Sequence, residues 1–359
     1  MVKLYLRRMH LVIALFAGVI LIGLSITGSL LIYAKDIQTY FQPEYWTVAP
    51  QTKPLPLDVL LKKVTSQTGQ TATLVTPETN PNKAWQVQLS NKMYISVNPY
   101  TGKKLHQYNY YQTFYGYLLG FHRWLLYQND AGGYPLRNIV SLASVCLMLE
   151  LLLGFYLWVK PKKRLKRLKV NPKAKRKILF YQLHTVVGVY VFIPLFLVAF
   201  SGMAFHWNTI AQGTVEAVTF AKVEPRPEAP TINPQSQVKI NEALSNARLA
   251  LPEASLYRIY LPKAETEPMA LRMQMPGETH AYSWVWVDPF TAGVLQVYDG
   301  SKANFATQVW NFRYKFHIGD FAGGLVQALW LILALTPLFF VVSGVYLFCL
   351  RKQRKQKTT

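Results

Sequence analysis

Four uninterrupted apolar blocks dominate the chain, at residues 9–34, 138–159, 178–207 and 321–350. A helix crossing the hydrocarbon core of a bilayer needs about 20 residues at 1.5 Å each, so each block predicts a membrane span. The first carries no charge between Arg8 and Lys35. It is too long for the apolar region of a signal peptide, has no convincing small-x-small cleavage site, and reads as a retained anchor. The last two are close to 30 residues, which predicts tilt or an interfacial extension. Pro194 predicts a kink in the third.

Between the blocks the pattern changes. Helical apolar spacing marks 58–68 and 239–249, and alternation marks strands such as 85–89 and 282–287. The segments N-P-Y-T-G (98–102) and D-P-F-T-A-G (288–293) read as turns joining strands of a small sheet. The aromatic run from Tyr108 to Trp124 predicts an interfacial helix leading to the second span. The Pro-rich stretch 223–234 predicts a loose linker.

The pattern also repeats. RRMHLVIALFAGV answers YQLHTVVGVYVFI, which sets His10 against His184, and SITGSL answers AFSGMA at the same offset. YISVNPYTGKKLHQY answers VWVDPFTAGVLQVYD, and FHRWLLYQNDAGG answers FHIGDFAGG, which sets His122 against His317. LLGFYLWVKPKK answers VVSGVYLFCLRKQ at the ends of the second and fourth spans. Five matches in one order predict a duplication in which each half is span, outer domain, span. The halves share one orientation, so the predicted axis relating them lies along the membrane normal.

Charge sets that orientation. The protein has 359 residues and a formal net charge of +22, from 39 Lys and Arg against 17 Asp and Glu. Lys3, Arg7 and Arg8 precede the first span, a dense basic block occupies 160–177, and RKQRKQK follows the fourth span. These short segments hold 19 of the basic residues and no acid, the signature of cytoplasmic loops. Both termini are therefore expected in the cytoplasm and both long connections outside. The charge is a topology signal rather than a nucleic-acid footprint. The two cysteines, Cys146 and Cys349, lie inside spans, and no C-x-x-C-H site exists for covalent haem attachment.

Four of the seven histidines occupy repeat-matched positions near span ends. An imidazole is the usual axial ligand of a non-covalent haem, and a bis-His site needs two helices that present one ring each. The repeat supplies such pairs, His10 with His184 on the cytoplasmic side and His122 with His317 on the outer side. A lone histidine near an interface is commonly a snorkelling or hydrogen-bonded residue; two symmetric pairs favour ligation. Haem is preferred over a bare ion because no carboxylate or thiolate cluster accompanies the pairs. Gly18, Gly23, Gly28, Gly188 and Gly202 permit close approach of a flat macrocycle, or equally of another helix. His206 is matched by Ile32 and is open between haem, substrate and neither, whereas His106 and His280 are expected to be solvated. Glu150 is the only acid within a span, open between a hydrogen bond, a proton relay and a protonated buried acid.

The order RRMH…SITG, LGFHRWLL…GG…GFYLW, QLHTVVGVY…SG and KFHIGDFAGG…SGVYLF, with a D-P-x-T-x-G turn, resembles the PepSY-associated transmembrane family over nearly the whole chain. The resemblance implies an α-helical integral membrane protein with four transmembrane helices and two small α+β PepSY-like periplasmic domains. It divides the chain into 1–35 (cytoplasmic N-terminus and first span), 36–134 (first periplasmic domain with interfacial helix), 135–159 (second span) and 160–177 (basic loop). The second half follows as 178–207 (third span), 208–318 (second periplasmic domain), 319–350 (fourth span) and 351–359 (basic tail).

The resemblance further implies a bacterial inner-membrane ferric-siderophore reductase with two b-type haems, His10, His122, His184 and His317 being the axial ligands. Electrons would pass outward to a ferric siderophore, and the Fe(II) formed would be released because it binds such chelators weakly. Some relatives carry a fused flavin reductase domain; this chain ends soon after the fourth span, so a separate cytoplasmic reductase or quinol is the expected donor. Arg7, Arg8 and Arg123 are the expected partners of haem propionates. Reduction at a bis-His haem is outer-sphere and asks for no catalytic acid or base. Along the helices the two irons are expected more than roughly 20 Å apart. A reading from another class is a non-redox membrane protein whose outer domains bind a ligand or regulate a protease. A transporter would need a polar midplane site and broken helices, of which only Pro194 and Pro337 are signs.

Overall fold

The computed structural model describes residues 2–160, 165–235 and 237–356. The first half runs α1 (Val2–Leu31), α2 (Ala34–Phe41), α3 (Pro43–Trp46), α4 (Leu57–Thr68), β1 (Ala72–Thr76), β2 (Trp85–Leu89), β3 (Tyr94–Val97), β4 (Lys104–Tyr108), α5 (Phe114–Trp124) and α6 (Arg137–Val159). The second half runs α7 (Arg176–Tyr190), α8 (Phe192–Met203), α9 (Asn208–Thr219), α10 (Ile240–Ala250), β5 (Ser255–Tyr260), β6 (Met269–Gln274), β7 (Ser283–Val287), β8 (Val294–Tyr298), α11 (Phe305–Ile318) and α12 (Gly323–Gln356). In both halves a helix precedes four strands, and a second helix follows them before the closing span.

The chain forms two compact units, one helical and one built around the strands, with α5, α9 and α11 divided between them. In the helical unit α1, α6 and α12 are long and apolar enough to cross a membrane, and the α7–α8 pair makes a fourth span if its 67° bend is counted within one crossing. The bend follows from Pro194. Its ring displaces the carbonyl four residues back, that of Tyr190, and it has no N–H to offer; the helix breaks at Val191, between Tyr190 and Phe192. Pro337 does less damage inside α12. The carbonyl it leaves unpaired, that of Leu333, accepts from the Thr336 hydroxyl at 2.6 Å. Ser25 of α1 donates to the neighbouring Ala334 carbonyl.

Around this point α1 packs on both α6 and α12, while α6 packs on α7 and α8. Small residues set the approach: Ala17, Leu21 and Ala143 form one core, and a Cβ at Gly18 would meet Val341 at 3.2 Å. Of the basic loop predicted at 160–177, residues 161–164 lie outside the described residues. In the tail predicted at 351–359, α12 continues through Gln356, and 357–359 lie outside the described residues.

In the other unit each half supplies the expected meander, but the two do not stand apart. Strand β1 pairs antiparallel with β5, Leu74 opposite Tyr260 and Val75 opposite Ile259. The result is one eight-stranded sheet in the order β4-β3-β2-β1-β5-β6-β7-β8. Helices α4 and α10 contribute to a single core that runs across both halves, with Leu60, Val75, Val87, Ile95, Ile259 and Leu271 all fully buried. Asp58 and Asn241 tie the two helices together reciprocally, Asp58 N–H to Asn241 Oδ1 and Asn241 Nδ2 to Asp58 Oδ1. The second of these bonds holds the Asp58 carboxyl below its ordinary range.

Both predicted turns form. The Asn98 and Asp288 side-chain oxygens each accept from backbone N–H groups two and three residues on. At the left-handed position the first turn has Gly102 at φ 73°, while the second has Ala292 at φ 61°. The aromatic run divides: Tyr108 ends β4 and is buried, and only Phe114–Trp124 is α-helical. His106 stacks on Tyr45 at 4.0 Å, and His280 is buried beside Tyr257 at 4.7 Å, so neither is the solvated side chain expected. Aromatic neighbours from other elements, Tyr45 on α3 and Tyr257 on β5, invisible to local pattern, account for both.

Two stability changes follow. Leu60→Ala removes a fully buried side chain and is expected to cost about 2–5 kcal/mol. Ala292→Gly relieves a left-handed alanine and is expected to stabilise by about 1 kcal/mol. Denaturant titration of the full chain in detergent, followed by tryptophan fluorescence, measures both.

Candidate functional site

The helical unit brings all four repeat-matched histidines together as the two pairs expected. His10, on α1, lies with its ring centroid 6.4 Å from that of His184, on α7, the planes at 85°. His122, at the end of α5, lies 6.2 Å from His317, at the end of α11, the planes at 59°. Two imidazoles that ligate one metal from opposite sides, each nitrogen at about 2.0–2.1 Å, hold their ring centroids roughly 6 Å apart. Both pairs therefore have the separation of a bis-His site. Along α1, His10 and the Gly28 that packs on His122 are 18 residues apart, about 27 Å of helix axis.

Each ring is held in the same way, by a polar atom at Nδ1 and a glycine beneath. His122 Nδ1 meets the Thr27 hydroxyl at 3.1 Å, and His317 Nδ1 meets the Ser201 hydroxyl at 3.0 Å and the Val198 carbonyl at 3.1 Å. His184 Nδ1 meets the Ser343 hydroxyl at 2.7 Å. His10 Nδ1 lies 2.5 Å from Glu150 Oε2, off the line of a good hydrogen bond. These contacts all use Nδ1, which leaves Nε2 as the nitrogen for a metal. An orienting group at the second ring nitrogen is what a ligating histidine ordinarily has.

The glycines make the approach possible. A Cβ placed on Gly28 would come within 2.9 Å of His122 Cε1, and one on Gly202 within 3.1 Å of His317 Cε1. Gly154 and Gly344 face His10 and His184 with more room, 3.5 and 3.8 Å. Thr27-Gly28 and Ser201-Gly202 are matched in the sequence repeat, as are Gly154 and Gly344.

A cleft enclosing about 870 Å³, part of it open to solvent, lies at the second pair and is lined by His122, His317, Gly202, Arg123, Arg137 and His206 among others. Parts of both rings face this cleft, but they sit deep in the protein. Burial pushes His122 down to about 3, with His317 beside it adding to the effect, and His317 down to about 4 against the pull of the Val198 carbonyl. Both are thus neutral, the form in which imidazole binds metal. Arg137 stacks on Tyr134 at 4.4 Å, and its Nε has no hydrogen-bond partner among the described residues. His206 lines the same cleft with Nε2 on Asn138 Oδ1 at 3.0 Å. Arg7 and Arg8 are exposed.

The donor set fits a haem better than a bare ion. Among the described residues no group of three or more His, Cys, Asp or Glu could hold a metal ion. Two isolated pairs suit an iron whose other four positions are filled by a macrocycle. Glu150 supplies a separate sign at the first pair. It is buried, and its Oε1 has no hydrogen-bond partner among the described residues. A buried carboxylate needs a compensating charge, and the ferric iron–porphyrin core, its propionates aside, carries one positive charge.

Sequence reasoning found the four rings but missed Thr27, Ser201, Ser343 and Arg137. The repeat contained a signal for the first two, because a hydroxyl precedes the matched glycine in each copy; Ser343 is matched by Leu153 and gave none.

A family model described as PepSY-associated TM region matches residues 7–351. No curated protein matches the chain.

If the glycines are seats for the rings, Gly28→Val must displace His122, whereas Gly154→Ala leaves only an ordinary contact with His10. Titration of each purified variant with haem is expected to show one site lost in Gly28→Val and both kept in Gly154→Ala.

Proposed function

The chain belongs to the PepSY-associated transmembrane family, and from that premise we propose that it is a haem-containing transmembrane electron-transfer protein that reduces ferric siderophores. The observation that carries this reading is the pair of bis-His arrangements, 6.4 and 6.2 Å between centroids, with three of the four Nδ1 atoms engaged by hydroxyls and the fourth, that of His10, close to the Glu150 carboxylate. Two non-covalent b-type haems bound there would supply a one-electron relay between the two ends of α1.

The chain's own residues account for the rest of the chemistry. His10 and His184 would hold the haem on the cytoplasmic side, and His122 and His317 the outer one. Thr27, Ser201 and Ser343 fix three of the ring tautomers by contact at Nδ1. Arg123 and Arg137 line the outer cleft and are the side chains to take the two carboxylates of a bound haem, since guanidinium grips carboxylate in a two-pronged fork. A haem held by a histidine on either side would offer the substrate no bonding position, so the chemistry it would supply is the transfer of one electron to the ferric chelate with no bond made to the protein. The reduced iron leaves because its chelator holds Fe(II) weakly, and no acid or base residue is required.

The basic segments support an orientation with both termini and the loop 160–177 on the cytoplasmic face of a bacterial inner membrane and the strand-bearing connections in the periplasm. The donor is then a separate cytoplasmic reductase or a membrane quinol.

The test is the absorption spectrum of the protein purified in detergent from haem-replete cells, before and after dithionite. The expected result is a reduced b-type spectrum at two haems per chain, with one lost in His10→Ala and the other in His317→Ala. Stopped-flow mixing of the reduced protein with a ferric hydroxamate, with a ferrous-specific dye present, is expected to yield one Fe(II) per electron withdrawn. A colourless wild-type protein overturns the redox reading and favours a non-redox role in which the outer domains bind a ligand or regulate a protease.

A further inference from the structure

The two histidines of the first pair are not equivalent, and the inequality is built into one residue. His184 is oriented by a hydroxyl, Ser343 Oγ at 2.7 Å, whereas His10 faces a carboxylate, Glu150 Oε2 at 2.5 Å. In the sequence repeat Glu150 is matched by Phe340, each four residues before the glycine beneath its histidine. Phe340 also touches its ring, with centroids 5.3 Å apart. The same place on two matched helices thus carries a hydrocarbon face in one half and an acid in the other. At the second pair both orienting groups are neutral, the Thr27 and Ser201 hydroxyls with the Val198 carbonyl. Glu150 is the only Asp or Glu in the four apolar blocks, so the difference between the two sites is one of charge.

A carboxylate this close to Nδ1 favours positive charge on the imidazole and its metal, and wherever the two align in a hydrogen bond it also raises the basicity of Nε2 as a ligand. A stronger ligand and a nearby negative charge both favour ferric over ferrous iron, so the site that carries them is the harder to reduce. The surroundings amplify this, because a charge acts more strongly in an apolar bundle than in water.

Resting on the haem reading given above, we propose that Glu150 is the positioning residue that makes the His10–His184 site the more reducing of the two. The electron is then driven outward along the bundle by a difference in ligand environment, with no bond made or broken. One electron leaves the His10–His184 site as that iron is oxidised, and the same electron reduces the iron at His122–His317.

The experiment is an optically monitored redox titration of the full chain in detergent, comparing wild type with Glu150→Gln, Glu150→Asp and Ser201→Ala. The wild type is expected to titrate as two one-electron components. Glu150→Gln should move the lower component positive by at least a tenfold change in the sharing of an electron between the sites, about 59 mV, and leave the upper one in place. Ser201→Ala should move only the upper component. Should Glu150→Gln lose a haem, Glu150→Asp decides: its carboxylate is one methylene further from His10, and the lower component should again move positive. The proposal is overturned if both potentials stay where they are in whichever Glu150 variant keeps two haems, or if both move together. A wild-type chain that binds no haem is a distinct outcome, and it overturns the haem reading on which the proposal stands.

Discussion

Everything in the helical unit is arranged around a conflict between an imidazole and an apolar interior. A histidine ring in a bundle of this kind has two nitrogens to satisfy and almost nothing polar nearby. The structure settles one nitrogen of three rings with a hydroxyl from a neighbouring helix, Thr27 for His122, Ser201 for His317 and Ser343 for His184, and sets the Glu150 carboxylate close beside the same nitrogen of His10. Each ring has a second ring about 6 Å away, a separation that suits a shared metal. Because each orienting group belongs to a different helix from its ring, the pairs also register the helices against one another. Losing an anchor therefore loosens a bundle contact as well as a ligand.

The same demand explains the helix surfaces. Two rings approach a neighbouring helix so closely that a side chain there would crowd them, which is the role of Gly28 and Gly202, while Gly154 and Gly344 face the other two with more room. The prolines work in the opposite sense. Pro194 breaks the third apolar block at Val191, and Pro337 is absorbed because Thr336 takes over the Leu333 carbonyl it would have left bare. One proline thus redirects a helix, while the other only needs a local hydroxyl.

In the strand-bearing unit the governing requirement is different: each four-stranded meander has an edge with unpaired backbone groups. Pairing β1 with β5 removes one edge from each half and lets α4 and α10 share a single core. The reciprocal Asp58–Asn241 bonds show that the joint extends to the helices. A unit built this way depends on both halves of the chain at once.

Much of the fold and most of the site can be read from the sequence by itself. The four apolar blocks determine where helices cross apolar surroundings, because length and the absence of charge leave few alternatives. Internal matches pick out His10, His122, His184 and His317 and pair them as the ring separations do, since a repeat that preserves four histidines also places them symmetrically. What the sequence does not determine is whatever depends on contacts between distant segments. That β1 meets β5 rests on an edge pairing between residues nearly two hundred positions apart, which no local period encodes. That Arg137, rather than Arg7 or Arg8, lies in the cleft of a pair depends on how α6 enters the bundle. That Glu150 faces His10 follows from the packing of α6 on α1. Periodicity places the acid on a helix, and only the packing of the helices decides which ring it touches.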